Sequence, residues 1–280
     1  GIFRHQRRRP FSAEIGLPYQ AGKSHQMISS STGGSNDYKA AMKYKSSYLS
    51  LTNACMLVIT CLDKEQDWNV LELVLHKVLS VLQNKALISR YQHSIAKFML
   101  PLAALTDKSK GYPENLYNTP TGFSRSEFHN RVFPVLAALA PYSEYLEPSV
   151  QQMLIRCLEM GLLNRECNRI CIMALTACTL EMKSTMYNLI PEVLLNLSKI
   201  SATKNIAIPM LEYLSTLIRL PEVFSSFTDT HYMSVFAIAL PFTNPLKFDP
   251  YVVAFAHHVI IMWFLKCRPT FRPNFVRFII

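Results

Sequence analysis

Few side chains in this chain have a type and spacing that could do chemistry, and the sharpest of them lie near its N-terminus. Arg7-Arg8-Arg9-Pro10-Phe11-Ser12 fits R-x-R-x-x-S, the pattern read by basic-directed kinases. Their acidic pockets hold two arginines, here Arg7 and Arg9, and leave the serine at the phosphoryl donor. A phosphate on Ser12 adds about two negative charges to a basic cluster and makes a ligand for an Arg-lined reader. Ser12 is therefore a candidate phospho-acceptor with a basic-directed kinase as partner, weighed against a chance match of a short motif. Gly22-Lys23-Ser24 looks like the end of a phosphate-binding P-loop, but the first glycine of that motif falls on Leu17, with Gly16 one residue away. No apolar strand precedes it and no apolar helix follows, so a solvated linker is the better reading.

The apolar bulk of the chain holds the other candidates. His257 and His258 are adjacent, about 100° apart on a helix, which keeps both from gripping one metal, and no H-E-x-x-H pattern accompanies them. They read as core or joint histidines. Cys167, Cys171 and Cys178 share a helical face near Ile170, Ala174 and Ala177, where thiols act as small hydrophobes rather than as metal or redox groups. The six methionines between residues 153 and 210 follow the same apolar pattern and read as core. From Phe264 to Phe278, Lys266, Arg268, Arg272 and Arg277 alternate with Phe271 and Phe275. Such alternation can bind nucleic acid, but a solvent rim beside a helix end explains it as well, and nucleic acid is not favoured. The residues predict no catalytic group, cofactor, metal site or small-molecule substrate.

The elements that must position these residues are predicted to be helices. The chain has 280 residues, half of them apolar and 17% charged, which excludes disorder for most of its length. Only 8 glycines are present while Leu, Ile, Met and Ala dominate, a balance opposed to a turn-dense β-sandwich. Seven cysteines without C-x-x-C spacing suggest neither a disulfide framework nor a zinc ribbon and fit a reducing, cytoplasmic setting. No signal-peptide pattern follows the early arginines. The most membrane-like stretch, Tyr251 to Leu265, is interrupted by His257 and His258 and is short of the roughly 20 apolar residues a spanning helix needs. Gly1 at the start and the apolar Phe278-Ile279-Ile280 at the end read as the cut ends of a longer protein.

Charge divides the chain. Residues 1–47 carry eight basic side chains against Glu14 and Asp37, a net +6 of the total +10, and include the polar run Ser29 to Ser35. Residues 1–45 are therefore expected to form a flexible basic linker. From residue 46 onward, about ten apolar segments of helical length alternate with short joints. Ser46 to Leu62, Asp67 to Gln83 and Tyr91 to Leu105 are expected helices. In the second, Leu71, Val74, Leu75, Val78, Leu79 and Leu82 recur at three- and four-residue steps and form one face. Residues 106–121, with Gly111, Pro113 and Pro120, predict a long loop. Ser124 and Glu127 then have the S-x-x-E spacing of a helix start. Helical pairs beginning near residues 125, 166, 204 and 249 repeat at about the 40–47 residues of HEAT and armadillo units. The expected fold is all-α, a HEAT/armadillo-like α-solenoid in which each pair is stable only when stacked on its neighbours. Pro134, Pro191 and Pro209 fall inside helical patterns, as kinks or as boundaries.

Several strings, in order and spacing, resemble the tuberin family, the large subunits of the tuberous sclerosis complex. They are Asp67-Trp68, Gly122-Phe123-Ser124-Arg125, Cys157-Leu158-Glu159, Ile200-Ser201-Ala202-Thr203, Glu212 to Leu217, Ser234 to Ile238, Leu240 to Pro245, and Ala256 to Ile260 leading to Met262-Trp263-Phe264. The resemblance covers residues 46–280 and is densest from Gly122 onward. It implies a central piece of an α-solenoid in a GTPase-activating protein that acts on the small GTPase Rheb and negatively regulates TOR growth signalling. The family's catalytic asparagine belongs to a C-terminal domain whose motif has no match here, so the chain is expected to be a non-catalytic scaffold. A hamartin-type subunit and Rheb are implied partners through the full-length protein, as is recruitment from the cytoplasm to lysosomal or other endomembranes. The rival expectation is a binding module whose basic arm contacts anionic lipid or nucleic acid.

Overall fold

The computed structural model describes residues 50–88 and 92–279. The expected linker, with Arg7, Arg9 and Ser12, lies outside the described residues. Helix α1 (Leu51–Lys64) starts at Ser50, whose side chain accepts from the Asn53 N–H, and α2 (Trp68–Leu82) starts at Asp67, which accepts from the Asn69 N–H. These oxygens satisfy donors that the first helical turn leaves unpaired. The expected stripe of α2 is its inner face, with Leu71, Leu75, Val78 and Leu82 buried and Val74 and Leu79 half-buried. The short α3 (Lys85–Ile88) follows.

The third expected helix is two elements. Gln92–Phe98 is a 3₁₀ helix, and only α4 (Met99–Thr106) is α-helical. Pro101 in the first turn of α4 has no N–H for an α-type bond back to the Lys97 carbonyl, and its ring crowds that carbonyl, so the α-helix starts late. Next, α5 (Arg125–Ala137) opens on the expected capping box. Ser124 Oγ accepts from the Glu127 N–H at 3.2 Å, and Glu127 Oε2 accepts from the Ser124 N–H at 2.7 Å.

The chain continues through α6 (Pro148–Gly161), α7 (Asn168–Glu181), α8 (Lys183–Ser198) and α9 (Lys204–Ile218). It ends with α10 (Pro221–Phe224), α11 (Asp229–Ala239), α12 (Pro250–Lys266) and α13 (Arg272–Ile279). Pro148, Pro221 and Pro250 occupy first positions, where a missing N–H costs nothing. The ten expected segments become thirteen α-helices among the described residues because α3, α10 and α13 are pieces of only one or two turns. Pro134, Pro191 and Pro209 all lie within helices, in α5, α8 and α9, so they are not boundaries.

The helices pack as two tracks. In one, α2 contacts α5, α5 contacts α7, α7 contacts α9 and α9 contacts α12; in the other, α1, α4, α6, α8 and α11 contact in turn. Rungs between the tracks join α1 to α2, α4 to α5, α6 to α7, α7 to α8 and α11 to α12. This is an α-solenoid, all-α as expected. The expected repeat points near 125, 166, 204 and 249 coincide with the starts of α5, α7, α9 and α12, all in the first track. The core runs along the seam between tracks, through Phe128, Leu158, Leu175, Leu194, Tyr213 and Trp263. Close approach at one joint requires a glycine: a Cβ on Gly161 would meet Phe133 Cε1 at 2.6 Å and press on Cys171 Sγ.

Residues 106–121 hold the short 3₁₀ turn Lys108–Lys110 and are otherwise the expected loop, but one bound tightly to the helices. The Trp68 N–H donates to the Tyr117 carbonyl at 3.0 Å, and the Tyr117 N–H donates to the Gln66 carbonyl at 2.9 Å. Asn118 donates from Nδ2 to Asp67 Oδ2 at 2.8 Å. Among the described residues the resulting Asp67 to Tyr117 bridge is isolated, and no strand is present. Trp68 meets Phe123 with ring centroids 4.5 Å apart, and Tyr112 stacks on Phe128 at 5.9 Å.

Candidate functional site

The side chains that first suggested chemistry are put to structural use. Cys167, Cys171 and Cys178 are fully buried along α7 and its start. Burial pushes Cys167 and Cys178 up to about 12 and raises Cys171 as well, keeping all three as protonated, unreactive thiols. His257 and His258 correct the expectation of core or joint residues: both are exposed. The buried stripe of α12 is Val252, Ala256, Val259, Ile260 and Trp263, and the two histidines fall beside it; His257 Nδ1 lies 2.8 Å from the Val253 carbonyl. Of the six methionines, Met182, Met186 and Met210 are core, Met153 is half-buried, and Met160 and Met173 are exposed, correcting a uniform core reading.

The basic and aromatic run at the C-terminal end closes helix α12. Arg268 donates to the Ser225 carbonyl at 2.6 Å. Arg272 donates to the Cys267 carbonyl at 3.1 Å and the Leu265 carbonyl at 2.8 Å, with its guanidinium 5.8 Å from the Phe264 ring centroid. These carbonyls belong to the last turn of α12 and its cap, which otherwise lack partners. The arginines are therefore bound to protein carbonyls in the manner of the rim that the sequence suggested.

A polar cluster joins α6 to α8, neighbours in the second track. The Glu159 side chain is only 5% exposed. It accepts from Arg156 Nη1 at 3.2 Å and from Asn196 Nδ2 at 3.2 Å, and Arg156 also pairs with Glu192. Burial, then the neighbouring Glu192 charge, holds the Glu159 carboxyl above its ordinary range despite Arg156. The cluster ties two helices together. Among the described residues, no group of three His, Cys, Asp or Glu side chains could hold a metal ion. No helix there is long and apolar enough to cross a membrane.

The surface best suited to a partner was not singled out by the sequence reading. A groove of about 340 Å³ runs between α1, α2 and the 3₁₀ helix at Gln92–Phe98, lined by Leu51, Val58, Leu73, Val78, Ile95 and Phe98. Lys77 is its one charged side chain. Leu73 is 57% exposed, and nearby Met56 and Leu57 on α1 are open to solvent to a similar degree. The signal was present in α2, where Val70, Leu73 and Val81 lie off the inner stripe and make the helix apolar nearly all round. Such a groove can receive apolar side chains from a packed element.

The family model described as Tuberin matches residues 3–270. The tuberous sclerosis 2 protein homolog of Schizosaccharomyces pombe is 32% identical over 135 residues, covering 42% of this chain. The match spans about a tenth, 10%, of that relative's length.

Proposed function

This chain belongs to the tuberin family, and from that premise we propose that it is a non-catalytic scaffold segment of a tuberin-like GTPase-activating protein. In this reading the whole protein acts on the small GTPase Rheb and restrains TOR growth signalling, with a hamartin-type subunit as partner. It works in the cytoplasm and is recruited to lysosomal or other endomembranes. The observation that carries the reading is a stack of paired helices within a stretch, residues 3–270, that the Tuberin family model matches. A stack of this kind holds distances, because each helix pair is fixed by the pairs on either side. The sequence also keeps Ser12, with Arg7 and Arg9, as a proposed acceptor for a basic-directed kinase.

The test compares this chain with the full-length protein in a Rheb GTP-hydrolysis assay, and then deletes residues 50–279 from the full-length protein. The chain alone leaves the Rheb rate at its intrinsic value, whereas the deletion lowers recovery of the hamartin-type subunit and stimulation together. Stimulation by the chain alone overturns the non-catalytic assignment. Full assembly and activity after the deletion overturn the scaffold assignment.

A further inference from the structure

The groove between α1, α2 and the 3₁₀ helix at Gln92–Phe98 is lined almost wholly by carbon. Its α2 wall carries Leu73, Lys77 and Val81 at four-residue steps, and Ala54 and Val58 line it from α1. On α2 the lining runs from Leu73 to Leu82, a helical rise of about 14 Å. The volume of about 340 Å³ is a little over twice that of the roughly 150 Å³ cavities that take benzene, room for about a dozen carbons. Concave, apolar sites with one or two polar groups are the usual form of a small-molecule site.

Lys77 is the exception in this wall. It is exposed, and it forms no ion pair among the described residues. One turn away on α2 stand Leu73, Val74, Ser80 and Val81, so its own helix places no acid within reach. Every residue that lines the groove from α1 and the 3₁₀ helix is uncharged. A lysine stem lies readily along apolar surface with its ammonium at the rim. An ammonium with no counter-charge, at the edge of a carbon-lined groove, complements a molecule with a carbon chain and one anionic end. A groove of this size takes one unbranched chain in full, whereas a docked helix would place only a few side chains inside it.

We propose that this groove binds a fatty carboxylate of about twelve carbons, its chain laid between α1 and α2 and its carboxylate paired with Lys77. The site is independent of the scaffold reading and survives or fails without it.

Calorimetric titration of the 280-residue chain with octanoate, dodecanoate and hexadecanoate, below micelle-forming concentrations, tests the fit. Dodecanoate is expected to bind saturably and about tenfold or more tighter than octanoate, because further methylenes leave water. Hexadecanoate is expected to bind no tighter than dodecanoate, since its last carbons find no wall. Dodecylammonium, of equal chain length and opposite charge, is expected to bind about tenfold more weakly than dodecanoate. Lys77→Glu changes an exposed side chain; it is expected to keep the parent's thermal midpoint, cut dodecanoate affinity about tenfold and leave dodecylammonium binding no weaker. Ala54→Phe puts a ring into the groove and is expected to lower dodecanoate affinity by about tenfold as well. No saturable dodecanoate signal, affinity that keeps rising to hexadecanoate, or a folded Lys77→Glu variant that binds dodecanoate like the parent overturns the proposal. A dimer in sedimentation that Ala54→Phe abolishes and dodecanoate does not would give the groove to a second copy of the chain and overturn it too.

Discussion

Glu159 shows how a single buried carboxyl both joins two helices and weakens them. It accepts from Arg156 and Asn196, yet burial and Glu192 raise it above the ordinary value of 4.5. The folded state therefore binds its proton more tightly than the unfolded state does. Below the unfolded value both states are protonated and the contribution to stability is complete. As pH rises through the folded value, the buried group must ionise and that stability is lost. Glu159→Gln keeps an acceptor for Asn196 and removes the titration. Urea midpoints of the parent are expected to fall relative to this variant as pH rises from the acid range to neutrality, with the two alike at the acid end. Parallel pH profiles would show that Glu159 keeps an ordinary proton affinity.

At the scale of elements, helix starts and inner faces were legible in the sequence because local physics decides them. The Ser124 and Glu127 box forms as its spacing predicts, and replacing Ser124 by Ala is expected to cost about 1 kcal/mol. Chemical denaturation with a fixed m-value measures that loss; an unchanged midpoint would mean that α5 is held without its cap. The stripe of α2 and the repeat points at α5, α7, α9 and α12 were legible for the same reason, since both follow from apolar periodicity. The division of residues 92–106 into a 3₁₀ helix and α4 was missed because a lone proline outweighed a continuous apolar run. The anchoring of residues 106–121 was illegible for another reason. Trp68 meets Tyr117 and Phe123 across about fifty residues of chain, and no local pattern encodes that pairing. The strings that carry the family resemblance, Asp67-Trp68 and Gly122 to Arg125, nevertheless meet at this point.

For the molecule as a whole, stacking makes surface and core respond differently to substitution. An interior position such as Leu175 is fully buried on α7, a helix packed against both α5 and α9, whereas Leu73 and Val81 on α2 are 57% and 40% exposed beside the apolar groove. The transfer energy of a side chain scales with the area it removes from water, so Leu73 and Val81 contribute little to folding while presenting apolar surface to solvent. The double variant Leu73→Lys, Val81→Lys should therefore keep its stability within roughly 1 kcal/mol of the parent. It should also bind a hydrophobic dye such as ANS less strongly and elute earlier from a hydrophobic column. Leu175→Ala should do the reverse, losing about 2–5 kcal/mol with the groove intact. If the lysine pair unfolds the chain, the groove is part of the folding core; if dye binding is unchanged, the exposed apolar face lies elsewhere on the stack.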